Sequence, residues 1–123
     1  MSLETMQPTA EWDGDVDVRE ALGREGLTYR VWGADWCGDC REQLPAFAAA
    51  LDAAGVPAER IEQHPVDEDK QGDGVDEYGI EFIPTVVVER ADEEVARFVE
   101  EESEPIAEYL AARIAERDER AQA

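Results

Sequence analysis

Apolar positions follow two rhythms along this chain, and their alternation outlines a set of elements. Leu44, Phe47, Ala48 and Leu51 recur at helical spacing, and Gly55-Val56-Pro57 blocks continuation, which predicts a helix from Cys37 to about Ala54. Thr28 to Ala34 before it is apolar enough for a central, buried strand. Arg60 to Val66 reads as a second strand, parallel to the first because a helix lies between them. A glycine-containing acidic loop, Asp67 to Asp76, then leads to a short helix ending at Tyr78. Thr85 to Arg90 and Glu94 to Val99 bracket Ala91-Asp92-Glu93 as a hairpin. Ile106, Tyr109, Leu110 and Ile114 share one face of a final helix from Glu104 to Arg117, with Ser103 as its cap. Near the start, Val18, Ala21 and Leu22 form the inward face of a short helix within Asp15 to Gly23, capped by Asp17 with Glu20 three residues on.

At 123 residues this is one domain, large enough to bury its own core. The pattern divides it into an arm over 1–14 with Trp12 as its apolar anchor, a domain over 15–117 and a frayed tail over 118–123. No run of apolar residues reaches the length of a membrane span, and the N-terminus lacks the basic and apolar regions of a signal peptide, so a soluble cytoplasmic protein is expected.

Charge changes the picture more than length does. Asp and Glu number 32 against 11 Lys and Arg, and Lys70 is the only lysine, for a formal net charge of −21. The carboxylates are spread along the whole length and interleaved with core patterns, as expected of a halophilic, salt-adapted cytoplasmic protein whose self-repulsion is screened by its surroundings. Nucleic acids and anionic membranes are excluded as partners by repulsion of their phosphates.

Candidate chemistry is concentrated in Trp36-Cys37-Gly38-Asp39-Cys40, which holds both cysteines. Two thiols two residues apart can close a small disulfide ring. At a strand-to-helix junction the first of them meets unpaired backbone N–H groups and the positive end of the helix dipole, which stabilise a thiolate. Cys40 shares the face of Leu44, Phe47 and Leu51, so Cys40 is expected buried and Cys37 at the exposed tip. A structural zinc site draws four ligands from Cys and His, and the chain offers only Cys37, Cys40 and His64. No metal or other cofactor is expected. An inert structural disulfide is disfavoured because so short a loop constrains the unfolded chain little.

Three features together go further: Trp36 with the cysteine pair, Pro45 inside the following helix, and Gly79-Ile80-Glu81-Phe82-Ile83-Pro84-Thr85 ahead of Val86-Val87-Val88. In this ordered set the chain resembles the thioredoxin family from about Leu27 to Ile114. The resemblance implies a thioredoxin-like α/β fold, a mixed four-stranded sheet flanked by helices on both faces, with an extra N-terminal helix. It implies a protein-disulfide oxidoreductase in which Cys37 attacks and Cys40 resolves, with a cis Ile83-Pro84 bond and with Trp36, Ile83, Pro84 and Thr85 binding substrate. Its partners would be protein or small-molecule disulfides and an electron donor such as a thioredoxin-reductase-like flavoprotein, and the protein itself would be a monomer.

The sequence also departs from the family. Val31 stands where thioredoxins carry a buried Asp that helps move the proton of the second cysteine, and Val99-Glu100-Glu101-Glu102-Ser103 stands where they commonly place a glycine. Asp39 occupies a position that is usually proline. Its like charge is expected to disfavour the Cys37 thiolate and to tilt the pair towards a reductant. These departures keep two alternatives open: an interaction module with little turnover, and a redox-sensing or metal-handling protein.

Overall fold

In a computed structural model of the chain, the described residues are 6, 12, 14–69, 71–72, 74–91, 93–99 and 104–122, with side chains as far as Asp118. The elements in order are α1 (Val16–Leu22), β1 (Leu27–Gly33), α2 (Gly38–Ala53), β2 (Ile61–Pro65), α3 (Val75–Tyr78), β3 (Thr85–Arg90), β4 (Glu93–Val99) and α4 (Ile106–Gln122). The strands form one sheet in the order β2-β1-β3-β4. β1 runs parallel to β2 and antiparallel to β3, and β3 and β4 make the antiparallel hairpin. This is the mixed four-stranded α/β sheet with an N-terminal helix that the resemblance implies.

Strand alternation divides the core between two faces. Tyr29 and Val31 of β1, Val86 and Val88 of β3, and Ala96 and Phe98 of β4 project to one side, where they are buried with Leu44, Phe47 and Leu51 of α2 and Leu110 and Ile114 of α4. Tyr29 meets the ring of Phe47 edge-on at 6.0 Å, and its hydroxyl donates to the Leu22 carbonyl at 2.6 Å, tying α1 to the same layer. Burial of each Val, Leu, Ile or Phe side chain among them contributes about 1.5–3 kcal/mol.

The opposite face is more polar. Trp32 is fully buried there between His64 of β2, stacked at 4.8 Å, and Tyr78 of α3 at 5.0 Å. Arg30 pairs with Glu89 at 2.5 Å and with Glu62 at 2.7 Å, and the Tyr78 hydroxyl donates to Glu89 at 3.0 Å. Burial by itself would raise the Glu89 carboxyl, but the hydrogen bonds from Arg30 and Tyr78 and the Arg30 charge outweigh it and hold the group below its ordinary value.

Helix ends follow local chemistry, with some differences from expectation. α2 stops in a Schellman arrangement: Gly55 lies at φ +75, its N–H reaches the Asp52 carbonyl, and Val56 N–H reaches Leu51. The N-cap of α1 is Asp15 rather than Asp17, which sits in the first turn, and no side chain closes the cap. The Ser103 cap and the 100–102 rim lie outside the described residues. Met6 joins Trp12 as an anchor of the N-terminal segment and is buried in the core.

α4 does not stop at Arg117 but runs to Gln122, and Asp118 is held rather than frayed. Its carboxylate accepts from Arg90 at 2.5 Å and from Arg24 at 2.6 Å, joining the end of α4 to the end of β3 and to the turn after α1. The Arg90 hydrogen bond, opposed by partial burial and reinforced by Arg24, holds this carboxyl below its usual range. Asp118→Ala is therefore expected to cost about 1 kcal/mol in urea denaturation at low salt, and less in molar salt. A carboxyl held low in the folded state stabilises above its unfolded pKa and stops doing so as pH falls through the folded one, so the cost is full at neutral pH and vanishes in acid.

Candidate active site

The register of β1 and the turn that follows it bring the cysteine pair to one end of the strand. Gly33 is the last residue of the strand, lies opposite Pro65 of β2 and accepts the Val66 N–H at 2.9 Å. The chain then turns through Ala34, Asp35 and Trp36, with Cys37 N–H donating to the Ala34 carbonyl at 3.3 Å. Trp36 is pinned by its indole N–H, which donates to the Val66 carbonyl at 3.1 Å, yet remains 45% exposed.

Cys37 is the N-cap of α2, in extended conformation, and its sulfur accepts the Cys40 N–H at 3.4 Å. Both cysteines are free thiols, Cys37 half-buried and Cys40 buried without exposed surface. A sulfur at this position receives a backbone donor and faces the N-terminal end of a helix of 16 residues. Pro45 stands inside α2, as the pattern predicts.

Cys40 has the opposite environment. Burial first, then its contact with Cys37, pushes its thiol up to about 12, and the charge of Asp39 adds to the rise while a backbone hydrogen bond from Ala34 opposes it. Asp39 itself is exposed. Val31 lies fully buried on the α2 side of β1, so no carboxylate occupies the position from which thioredoxins assist the second cysteine.

The third component is the turn before β3. Thr85 pairs with Trp32 across the sheet, which places the turn at the same end of β1 as the cysteines. The Thr85 hydroxyl donates to the Phe82 carbonyl at 2.6 Å, closing the turn, and the Ile83–Pro84 peptide is cis. Ile83, Pro84 and Thr85 are all buried. The exposed apolar side chain beside them is Phe82, at 45%, which the residue pattern alone does not single out. Its only signal is position, an aromatic residue next to a turn proline. His64 stacks on Trp32 on the sheet face turned away from α2 and serves packing there. Among the described residues no group of three His, Cys, Asp or Glu side chains could hold a metal ion, and no helix is long and apolar enough to cross a membrane.

The thioredoxin family model matches residues 29–112. Among solved structures, mitochondrial thioredoxin 3 from Saccharomyces cerevisiae in its oxidised form is similar with a TM-score of 0.51, at 17% identity over 80% of this chain and 85% of that one. A mutant thioredoxin from Halobacterium salinarum NRC-1 gives a TM-score of 0.50 at 19% identity over 94% of both chains. These likenesses concern the fold. No curated protein matches the sequence.

With Cys37 half-exposed and Cys40 buried and shifted upward, alkylation of the reduced protein should modify Cys37 roughly tenfold faster or more. Mass spectrometry of partially labelled protein measures the ratio, and equal labelling would contradict the asymmetry.

Proposed function

Because this chain belongs to the thioredoxin family, we propose that it is a thiol-disulfide oxidoreductase that reduces protein disulfides through Cys37 and Cys40. The observation that carries the proposal is the unequal pair: a capped, accessible sulfur at the start of α2 and a buried thiol one turn behind it.

In this reading the Cys37 thiolate attacks one sulfur of a partner disulfide. A Cys37–sulfur bond forms, the partner's S–S bond breaks, and the other partner sulfur leaves as a thiolate. Cys40 then loses its proton and attacks Cys37 Sγ; the mixed disulfide breaks, the second partner thiol leaves, and a Cys37–Cys40 disulfide remains. Two electrons have passed to the partner. They are returned by a dithiol donor or a reductase, for which a thioredoxin-reductase-like flavoprotein is the class the family suggests. The partner chain lies against the backbone of Ile83 to Thr85, with Trp36 beside it. The working medium in this reading is a salt-rich cytoplasm, supported by the net charge of −21 and the single lysine.

Proton removal from Cys40 limits the second step. A thiol at about 12 is ionised to roughly one part in a hundred thousand at pH 7. Forming the mixed disulfide removes the Cys37 contribution to that shift but leaves burial, the larger cause. Val31 supplies no base. The same feature favours one rival, a module that captures partners and releases them slowly, and turnover separates the two.

The oxidoreductase is expected to reduce insulin with dithiothreitol as donor at a rate well above the uncatalysed one, with Cys37→Ser abolishing the gain. Absence of turnover in the wild type would favour the binding module. In stopped-flow measurements on the preformed mixed disulfide, resolution should accelerate about tenfold per pH unit between pH 7 and 9. A flat profile would mean that some group other than solvent hydroxide takes the Cys40 proton.

A further inference from the structure

Beside the cysteines the surface is concave. A groove of about 560 Å³ opens between the first turns of α2 and the start of α4, and carboxylates of Asp39, Glu42, Glu104 and Glu108 stand around it while Trp12, Ala46 and Pro105 give it an apolar floor. Asp39 belongs to both features, since it lies between the two cysteines in the chain, so the groove adjoins the cysteine pair.

None of the described residues lining it is an arginine or lysine. Among the described residues none of the four carboxylates enters an ion pair, although the protein forms them elsewhere, as in Arg24–Asp118, Arg30–Glu89 and Arg97–Glu94. A carboxylate surface that only has to stay hydrated needs no apolar floor. A surface that receives arginine or lysine needs both, because those side chains lay an aliphatic stem on apolar ground and carry the charge to the rim.

We propose that this groove docks a cationic segment of the disulfide-bearing partner, so that preferred substrates carry arginine or lysine close to an apolar residue on one side of the reactive disulfide. The inference deepens the oxidoreductase reading and rests on it. Complementary charge at the rim acts mainly on association, and screening weakens it as salt rises. The selectivity therefore shows in kcat/KM and is largest at low ionic strength.

Three disulfide peptides test this, each releasing a fluorescent thiol on reduction. They share a leucine beside the disulfide and differ in two flanking residues: arginines, glutamates or serines. At low salt the full-length protein is expected to favour the arginine peptide over the glutamate peptide by about tenfold or more in kcat/KM, a ratio that shrinks in molar salt. Glu42→Gln combined with Glu108→Gln should remove most of that preference. Asp52→Asn combined with Glu59→Gln takes the same charge from exposed sites at the far end of α2 and beyond it, and should leave the preference in place. Equal preference in the groove variant and the wild type, or an equal loss in the distant variant, would overturn the docking proposal and leave net charge as the cause. No reaction with any peptide, the serine one included, would instead overturn the oxidoreductase reading beneath it.

Discussion

The arrangement depends on the register of β1 in the middle of the sheet. Its ladder with β3 sets Trp32 opposite Thr85 and so brings the Pro84 turn to the end where the chain leaves for the cysteines. Its ladder with β2 sets Gly33 opposite Pro65, which leaves the Val66 carbonyl in place to hold the Trp36 indole. A slip of one residue would turn every side chain of β1 to the other face. Arg30 would then meet the apolar face of α2, and Tyr29 would lose both Phe47 and the Leu22 carbonyl. Burial on both sides makes that error costly, and the position of the cysteines inherits the precision.

From that fixed junction two identical side chains acquire different chemistry. Cys37 lies where β1 has ended and the hydrogen bonding of α2 has not yet closed, so a backbone donor is free to serve its sulfur. Cys40, within the first turn, points into the layer shared with Leu44 and Phe47 and shares their dryness. The contrast needs no special side chain nearby. It follows from a helix starting at the surface and rotating inward.

Much of this was legible in the sequence because it is local. Leu44, Phe47 and Leu51 give α2 by period, Gly55-Val56-Pro57 gives its end, and the two apolar runs around Ala91 give the hairpin. The pair of cysteines announces the site, and its unequal burial follows from the face that Cys40 shares with Leu44. What was not legible depends on distant partners or on competing neighbours. Asp15 and Asp17 alternate with valines, so pattern alone cannot choose the cap. α4 continues past Arg117 through a polar run with no stop signal, held by Arg24 and Arg90 from far away in the chain. In the turn before β3, Ile83 is buried and Phe82 exposed, an inversion set by the tight turn that hydrophobicity does not encode. The acidic groove requires α2 and α4 to meet, and neither helix reveals it alone.

The division of the core into an oily face and an ionic one has a consequence for how the fold responds to salt. Added salt has two opposite actions on a folded chain: it raises the cost of exposing hydrocarbon, depending on the ion, and it mutes attraction between opposite charges. Here those actions fall on different sides of one sheet. The layer of Tyr29, Val86, Phe98 and Phe47 tightens as the medium concentrates, while the Glu62–Arg30–Glu89 chain and its Tyr78 link loosen. The central strand, which carries the cysteines to their place, is thus held by two kinds of contact that answer salt in opposite directions.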